Sequence, residues 1–216
     1  MKKAYMPQRI IVFVIGLFIN ALSVALFSHA YLGTSPISSI PYTLYFGNQQ
    51  LTLGQYEFIL NMVLILGQVL LLRKNFKIYQ LVQIVIALVF GLFIDFWMMI
   101  FAWLEPTIYI TKLLVMVIGV LLNGVGVALI VLANVIMLCG EAFVTAVCNV
   151  FHTDFGKSKI VFDCALTGIA CIISLVLYHT VVGVREGTLI AAIVVGWFSG
   201  IIIKHLIKRL PWHSAL

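Results

Sequence analysis

Seven acidic residues occur in this chain, and four of them sit inside or beside apolar segments: Glu57, Asp95, Glu141 and Asp163. A carboxylate at membrane depth is costly unless it faces a polar interior or is neutralised, so each is a candidate for handling an ion or a proton. Asp95, in Gly91-Leu92-Phe93-Ile94-Asp95-Phe96-Trp97, is expected to lie deepest. An interhelical hydrogen bond, or snorkelling to the outer interface, is the structural alternative for it. Asp163 stands seven residues after Gly156, as Asn61 stands seven after Gly54, one helical turn from Glu57. Asp95 and Asp163 are therefore the expected proton or cation carriers. Glu141 opens a short apolar stretch, where a helix dipole favours a carboxylate whether it binds a solute or merely caps the helix. Glu105, Asp154 and Glu186 fall in predicted turns and are expected to be solvated.

Two asparagines form a matched pair. Asn20 and Asn123 each follow a glycine by one turn, in Gly16-Leu17-Phe18-Ile19-Asn20 and Gly119-Val120-Leu121-Leu122-Asn123. Amides in lipid must find partners, so both are expected to face protein, as helix–helix contacts or as the lining of a solute path. The hydroxyl-rich stretch Thr34, Ser35, Ser38, Ser39 and Thr43 supplies donors without charge, and Ser35-Pro36 reads as a helix start. Asn20, Asn123, Ser35, Ser38 and Glu141 are the expected substrate-binding residues. His29, at the end of the first apolar segment, reads first as a satisfied interface histidine. No hydrolase, nucleotide-binding or metal-ligand motif is present, so no catalytic residue, metal or cofactor is expected. The four cysteines lack metal-ligand or redox spacing and are expected as buried free thiols.

The elements that must position these groups follow from composition. Hydrophobic residues make up 63% of the chain and charged residues 9%, against about 25% charged in soluble domains. The expectation is one all-α polytopic membrane domain over residues 1–216, with its lipid bilayer as solvent and no nucleic-acid face. Six apolar spans emerge, at roughly 9–31, 56–72, 78–103, 110–137, 160–181 and 187–207. The first is expected to remain as an uncleaved helix. Lys2, Lys3, Arg9, Arg73, Lys74, Lys77, Lys157, Lys159, Lys204, Lys208 and Arg209 fall on one side of this arrangement, and only Lys112 and Arg185 on the other. The excess of basic residues places both termini in the cytoplasm. Aromatic residues such as Trp97, Trp103, Tyr109 and Trp212 mark the membrane boundaries.

The chain also resembles itself. The Gly16–Asn20 and Gly119–Asn123 segments are offset by 103 residues, Thr52-Leu53-Gly54 and Asp154-Phe155-Gly156 by 102, and Gly91-Leu92-Phe93 and Gly196-Trp197-Phe198 by 105. Two repeats, about 9–103 and 110–207, each contain three spans, and an odd number of crossings turns the second upside down relative to the first. Each repeat holds an extra segment, 35–46 and 141–151, too apolar for a loop. Eleven helical residues reach only about 16 Å. These are expected as short re-entrant or interfacial helices on opposite faces.

Leu32-Gly33-Thr34-Ser35-Pro36, the Leu53-Gly54-Gln55 turn and the Gly91-x-x-x-Asp95 helix together resemble the YitT/YczE-type bacterial integral membrane proteins. The similarity runs along essentially the whole chain, most clearly over residues 10–100. It implies a small protein of the bacterial inner membrane with no settled substrate, and it carries no functional residues across. The expected function is movement of an unknown small solute across the cytoplasmic membrane, through a site between the two repeats. The alternative is a membrane subunit or scaffold that acts with a partner, such as the substrate-binding component of a larger importer. A homo-oligomer is compatible with either.

Overall fold

The computed structural model describes residues 5–207, which are largely helical and contain no strand. Lys2, Lys3, Lys208, Arg209 and Trp212, invoked above, lie outside the described residues. The helices run α1 (Met6–Ala30), α2 (Ser39–Gly47), α3 (Leu53–Leu72), α4 (Val82–Ile100), α5 (Tyr109–Ala133), α6 (Cys139–Phe151), α7 (Phe155–Tyr178) and α8 (Glu186–Leu206). Short 3-10 turns at Arg73–Asn75 and Ile78–Leu81 join α3 to α4. All but α2 and α6 are long and apolar enough to cross a membrane.

Capping chemistry explains where the boundaries differ from the apolar runs. Thr52 and Gln55 form a reciprocal capping box, which starts α3 at Leu53 rather than near residue 56. The Asp154 carboxylate accepts from the Lys157 amide at 3.1 Å, so α7 begins at Phe155, a full turn before its apolar stretch. The expected helix start at Ser35-Pro36 is displaced. Ser35 Oγ does accept from the Ser38 amide at 3.4 Å, but Pro36–Ser38 forms a tighter turn and the α-helix proper begins at Ser39.

The central pair is α1 and α5. They run antiparallel, which the ends establish: Arg9 Nε donates to the Ala133 carbonyl at 2.7 Å and the guanidinium also donates to the Asn134 carbonyl, while Lys112 lies over the Tyr31 ring at the opposite end. Glycines bring their backbones together. A Cβ on Gly126 would sit 2.9 Å from the Asn20 amide nitrogen, closer than a side chain allows. The two ends of the bundle are called below the Arg9 end and the Tyr31 end.

The other helices pack in matched fashion. α1 lies on α4 as α5 lies on α8, α2 on α3 as α6 on α7, and α3 on α6 as α7 on α2. One match fails: α3 packs closely on α4, whereas α7 and α8 make at most a glancing contact. Each short helix sits between α3 and α7, packed inside the bundle rather than on its rim. The segment before α2 turns inward, so that Ile37 lies against Gly140 at the start of α6, and α2 then returns to the Tyr31 end, where the Tyr178 hydroxyl donates to the Thr43 carbonyl. The segment thus enters the bundle and leaves it at the same end. Of the cysteines, all free, only Cys139 is buried, and Cys164 is exposed on the outer face of α7.

Candidate functional site

Where the beginnings of the two short helices meet, a cavity of about 340 Å³ opens, within the size range of small-molecule sites. Asn20, Ser35, Ser38, Asn123, Glu141 and Asp163 all line it. Residues from α1, α5, α6, α7 and the segment before α2 thus converge on one space. Glu57, Asn61, Lys159 and Ser199 join them.

Glu57 is the most enclosed acid, 2% exposed. Its Oε1 accepts from Ser38 Oγ at 3.3 Å, and its Oε2 has no hydrogen-bond partner among the described residues. One turn on, Asn61 Nδ2 donates to the Glu57 carbonyl at 2.9 Å. Asn123 Nδ2 donates to Ser23 Oγ at 2.8 Å, and Ser23 Oγ donates to the Asn20 carbonyl at 2.6 Å, so Asn123 both lines the cavity and ties α5 to α1. The Asn20 amide group makes no such bond among the described residues. Lys159 Nζ donates to Asp163 Oδ1 at 2.5 Å, an i,i+4 pair on α7. The cavity therefore holds three carboxylates and one ammonium, and that ammonium is already paired.

The lining residues fall into pairs 102 or 103 positions apart: Asn20 with Asn123, Ser38 with Glu141, Glu57 with Lys159, Asn61 with Asp163. Their chemistry differs within each pair except the asparagines. One side presents a hydroxyl, a carboxylate and an amide; the other presents a carboxylate, an ammonium and a carboxylate.

The two ends of this cavity are not alike. Towards the Arg9 end a second cavity, of about 450 Å³, continues between α4, α5 and α6, sharing Val127, Leu138 and Glu141 with the first and reaching Gln80, Asn134 and Phe155. Towards the Tyr31 end the chain is sealed. Gly187 N donates to the Leu32 carbonyl at 2.9 Å, the Thr34 amide to Thr188 Oγ1 at 3.2 Å, and Arg185 Nη1 to the Tyr31 carbonyl at 3.2 Å. Tyr42 Oη and Thr43 Oγ1 donate to the Ser28 and Val182 carbonyls, which locks α2 in place.

Glycine contacts repeat the contrast. Gly54 of α3 and Gly91 of α4 meet backbone to backbone, and a Cβ on Gly91 would lie 2.6 Å from the Gly54 carbonyl oxygen. Their counterparts by sequence offset, Gly156 of α7 and Gly196 of α8, stand apart; a Cβ on Gly196 would meet nothing within 4 Å.

Asp95 belongs to this closed contact and not to the cavity. Its Oδ2 accepts from Thr52 Oγ1 at 2.7 Å and its Oδ1 from the Gly54 amide at 2.9 Å. The carboxylate satisfies donors at the start of α3, close to the Tyr31 end and only partly buried, rather than lying deepest. The interhelical hydrogen bond is what the geometry supports for it. Glu57 was expected only as one of four candidate acids, without a place among the binding or coupling residues, and Lys159, Asn61 and Ser199 were not among the expected site residues. A signal for the first three exists: Glu57 with Asn61, and Lys159 with Asp163, are i,i+4 pairs on one helix face at matching places.

Comparison with known proteins adds one identification. Over residues 7–204 the chain matches a family of unknown function, DUF6198, and it belongs to that family. No curated protein and no solved structure matches it.

Proposed function

We propose that this member of the family moves a small solute across the bacterial cytoplasmic membrane by alternating access, through the cavity between two inverted repeats, about 9–103 and 110–207. The observation that carries the reading is a cavity lined by offset-matched residues but sealed at one end only. A two-fold exchange of equivalent contacts converts such an asymmetric state into its mirror. Gly156 then closes on Gly196 as Gly54 now closes on Gly91, and the 134–138 segment docks on the start of α4 as the 31–34 segment now docks on α8. The release of Gly54 from Gly91 opens the Tyr31 end.

Orientation follows the basic residues. Arg9, Arg73, Lys74, Lys77, Lys157 and Lys204 favour the cytoplasm for the Arg9 end, so this conformation faces inward. The resemblance to YitT/YczE-type proteins agrees with a small inner-membrane protein and bears on the architecture rather than on the function. Ser35, Ser38, Asn20, Asn123 and Glu141 are the proposed contacts to the solute, with Asp163 held by Lys159.

Spin-label distances in lipid test the exchange. One pair, on Phe155 and Lys204, spans the α7–α8 gap; another, on Gln50 and Trp103, spans the closed end of α3 and α4. Two populations in each pair, shifting in opposite directions between the pairs, are expected. A single unchanging distance in both pairs, across detergents, lipids and solutes, refutes alternating access.

A further inference from the structure

Resting on that transport reading, the charge and hydrogen bonding of the cavity define its cargo more narrowly. We propose that the solute is a small organic ammonium ion carrying one net positive charge, whose nitrogen is held by Glu57 and whose hydrocarbon body lies along α4 and α8.

The case starts from Glu57. It is 2% exposed, it lines the cavity, and its Oε2 has no hydrogen-bond partner among the described residues. An ionised carboxylate enclosed in this way needs a cation, and a neutral one needs a proton. Among the described residues, no unpaired cation lines the space. Lys159 is bound to Asp163 at 2.5 Å, and every other titratable group lining the space is acidic or a thiol: Glu141 from α6, Asp163 from α7 and Cys139. From α1, α5 and the segment before α2 come only Asn20, Asn123, Ser35 and Ser38, and from α4 and α8 no charge at all.

An anion fits poorly. Three carboxylates face it against one paired ammonium. The helix starts that would otherwise attract a carboxylate or phosphate are already met by acids: Glu57 through Ser38 at α2, and Glu141 in the first turn of α6. The opposite wall suits an apolar body, since Ile86, Ala87, Phe90, Ala191 and Val195 line it without a polar atom on their side chains. Phe90 adds a ring face to which a cation is attracted.

A consequence follows for coupling. The proton and the ammonium ion compete for one carboxyl group: the neutral Glu57 acid gives its proton to solvent as the ammonium ion arrives, and Glu57 regains a proton when the cation leaves. Each face of the membrane then sees either a proton or a cation on the carrier.

The test uses the purified full chain in detergent. Thermal shift and calorimetry are run with n-butylammonium, benzylammonium and choline, against butyrate, 4-aminobutyrate and benzyl alcohol as the anionic, zwitterionic and neutral counterparts. Stabilisation by the cations alone is expected, with binding at least about 30-fold weaker in Glu57→Gln, the usual effect of removing one member of an enclosed charge pair. In the wild-type protein, binding in weak buffer releases up to one proton per cation, which tests the site even if Glu57→Gln does not fold. Preference for butyrate or 4-aminobutyrate, equal cation binding in a folded Glu57→Gln, or binding with no proton release each overturns the assignment. So does a folded wild-type protein that none of the three cations stabilises. Proteoliposome flux of a bound cation separates the two levels: binding lost in Glu57→Gln, without any flux in the wild type, keeps the cation site and removes the transport reading.

Discussion

Alanine at Gly91 and alanine at Gly196 are the same chemical change at matching sequence positions, and their expected effects are opposite. On Gly91 a Cβ would lie 2.6 Å from the Gly54 carbonyl oxygen, where ordinary contact starts at 3.4 Å. The α3–α4 interface must therefore open by about 0.8 Å, and the obstacle is backbone, which cannot rotate away as a side chain does. Overpacking of this kind costs about 1–3 kcal/mol. Applied to one of two interconverting states, that lowers its population relative to the other by about 5- to 150-fold. On Gly196 a Cβ meets nothing within 4 Å, so the present conformation bears no cost. The cost falls instead on the state in which Gly196 closes on Gly156. The assay is side-specific labelling with an impermeant maleimide, in a background where Cys139, Cys148, Cys164 and Cys171 are replaced. Reporters are Thr34→Cys at the sealed end and Asn134→Cys at the open end; Thr34 is now 1% exposed. Gly91→Ala is expected to raise labelling of the first reporter and lower that of the second. Gly196→Ala is expected to leave both as they are in the present conformation, keep solute binding and lower flux by about 5- to 150-fold. If folded Gly91→Ala labels as wild type at both positions, or Gly196→Ala transports at the wild-type rate, the glycine contacts do not gate the path.

Three further outcomes follow from the site. Asp95→Ala removes charge-assisted bonds to Thr52 and to the Gly54 amide; a stability loss of about 1.5–3 kcal/mol is expected by unfolding in detergent, together with raised labelling of Thr34→Cys and unchanged cation affinity. Asn123→Leu breaks the bond to Ser23 and should cost about 1 kcal/mol of stability, whereas Asn20→Leu, whose amide group has no hydrogen-bond partner among the described residues, should leave the melting temperature alone and weaken solute binding. Equal thermal effects in the two would remove the distinction drawn between them. Lys159→Gln takes away the only ammonium in the cavity; titration calorimetry should then show tighter binding of n-butylammonium, and a large loss of affinity would contradict the charge argument.

Much of this could be read from the chain before any coordinates. Composition alone demanded helices in lipid, because 9% charged residues cannot dress a water-facing surface. Hydropathy located the six long helices, and spacing between look-alike segments picked out Asn20, Asn123 and Asp163 as corresponding positions. The same offset contains the pairing of Glu57 with Lys159, visible only when the i,i+4 partner of each known residue is followed as well.

Other features depend on groups that sequence order cannot bring together. Asp95 looks like a buried carrier because its neighbours are apolar, yet hydropathy says nothing of the donors of another helix, and Thr52 and Gly54 stand where its oxygens reach. The short segments were too apolar for loops under either expectation, and what takes up their apolar faces is packing between α3 and α7, which sequence order does not reveal. Above all, the difference between the ends is a tertiary fact. Gly91 and Gly196 are equivalent letters in equivalent places, and only the distance to a partner helix makes one of them closed and the other open. Periodicity and composition determine the helices and the matching positions, while the contacts between helices decide which end of the cavity is sealed.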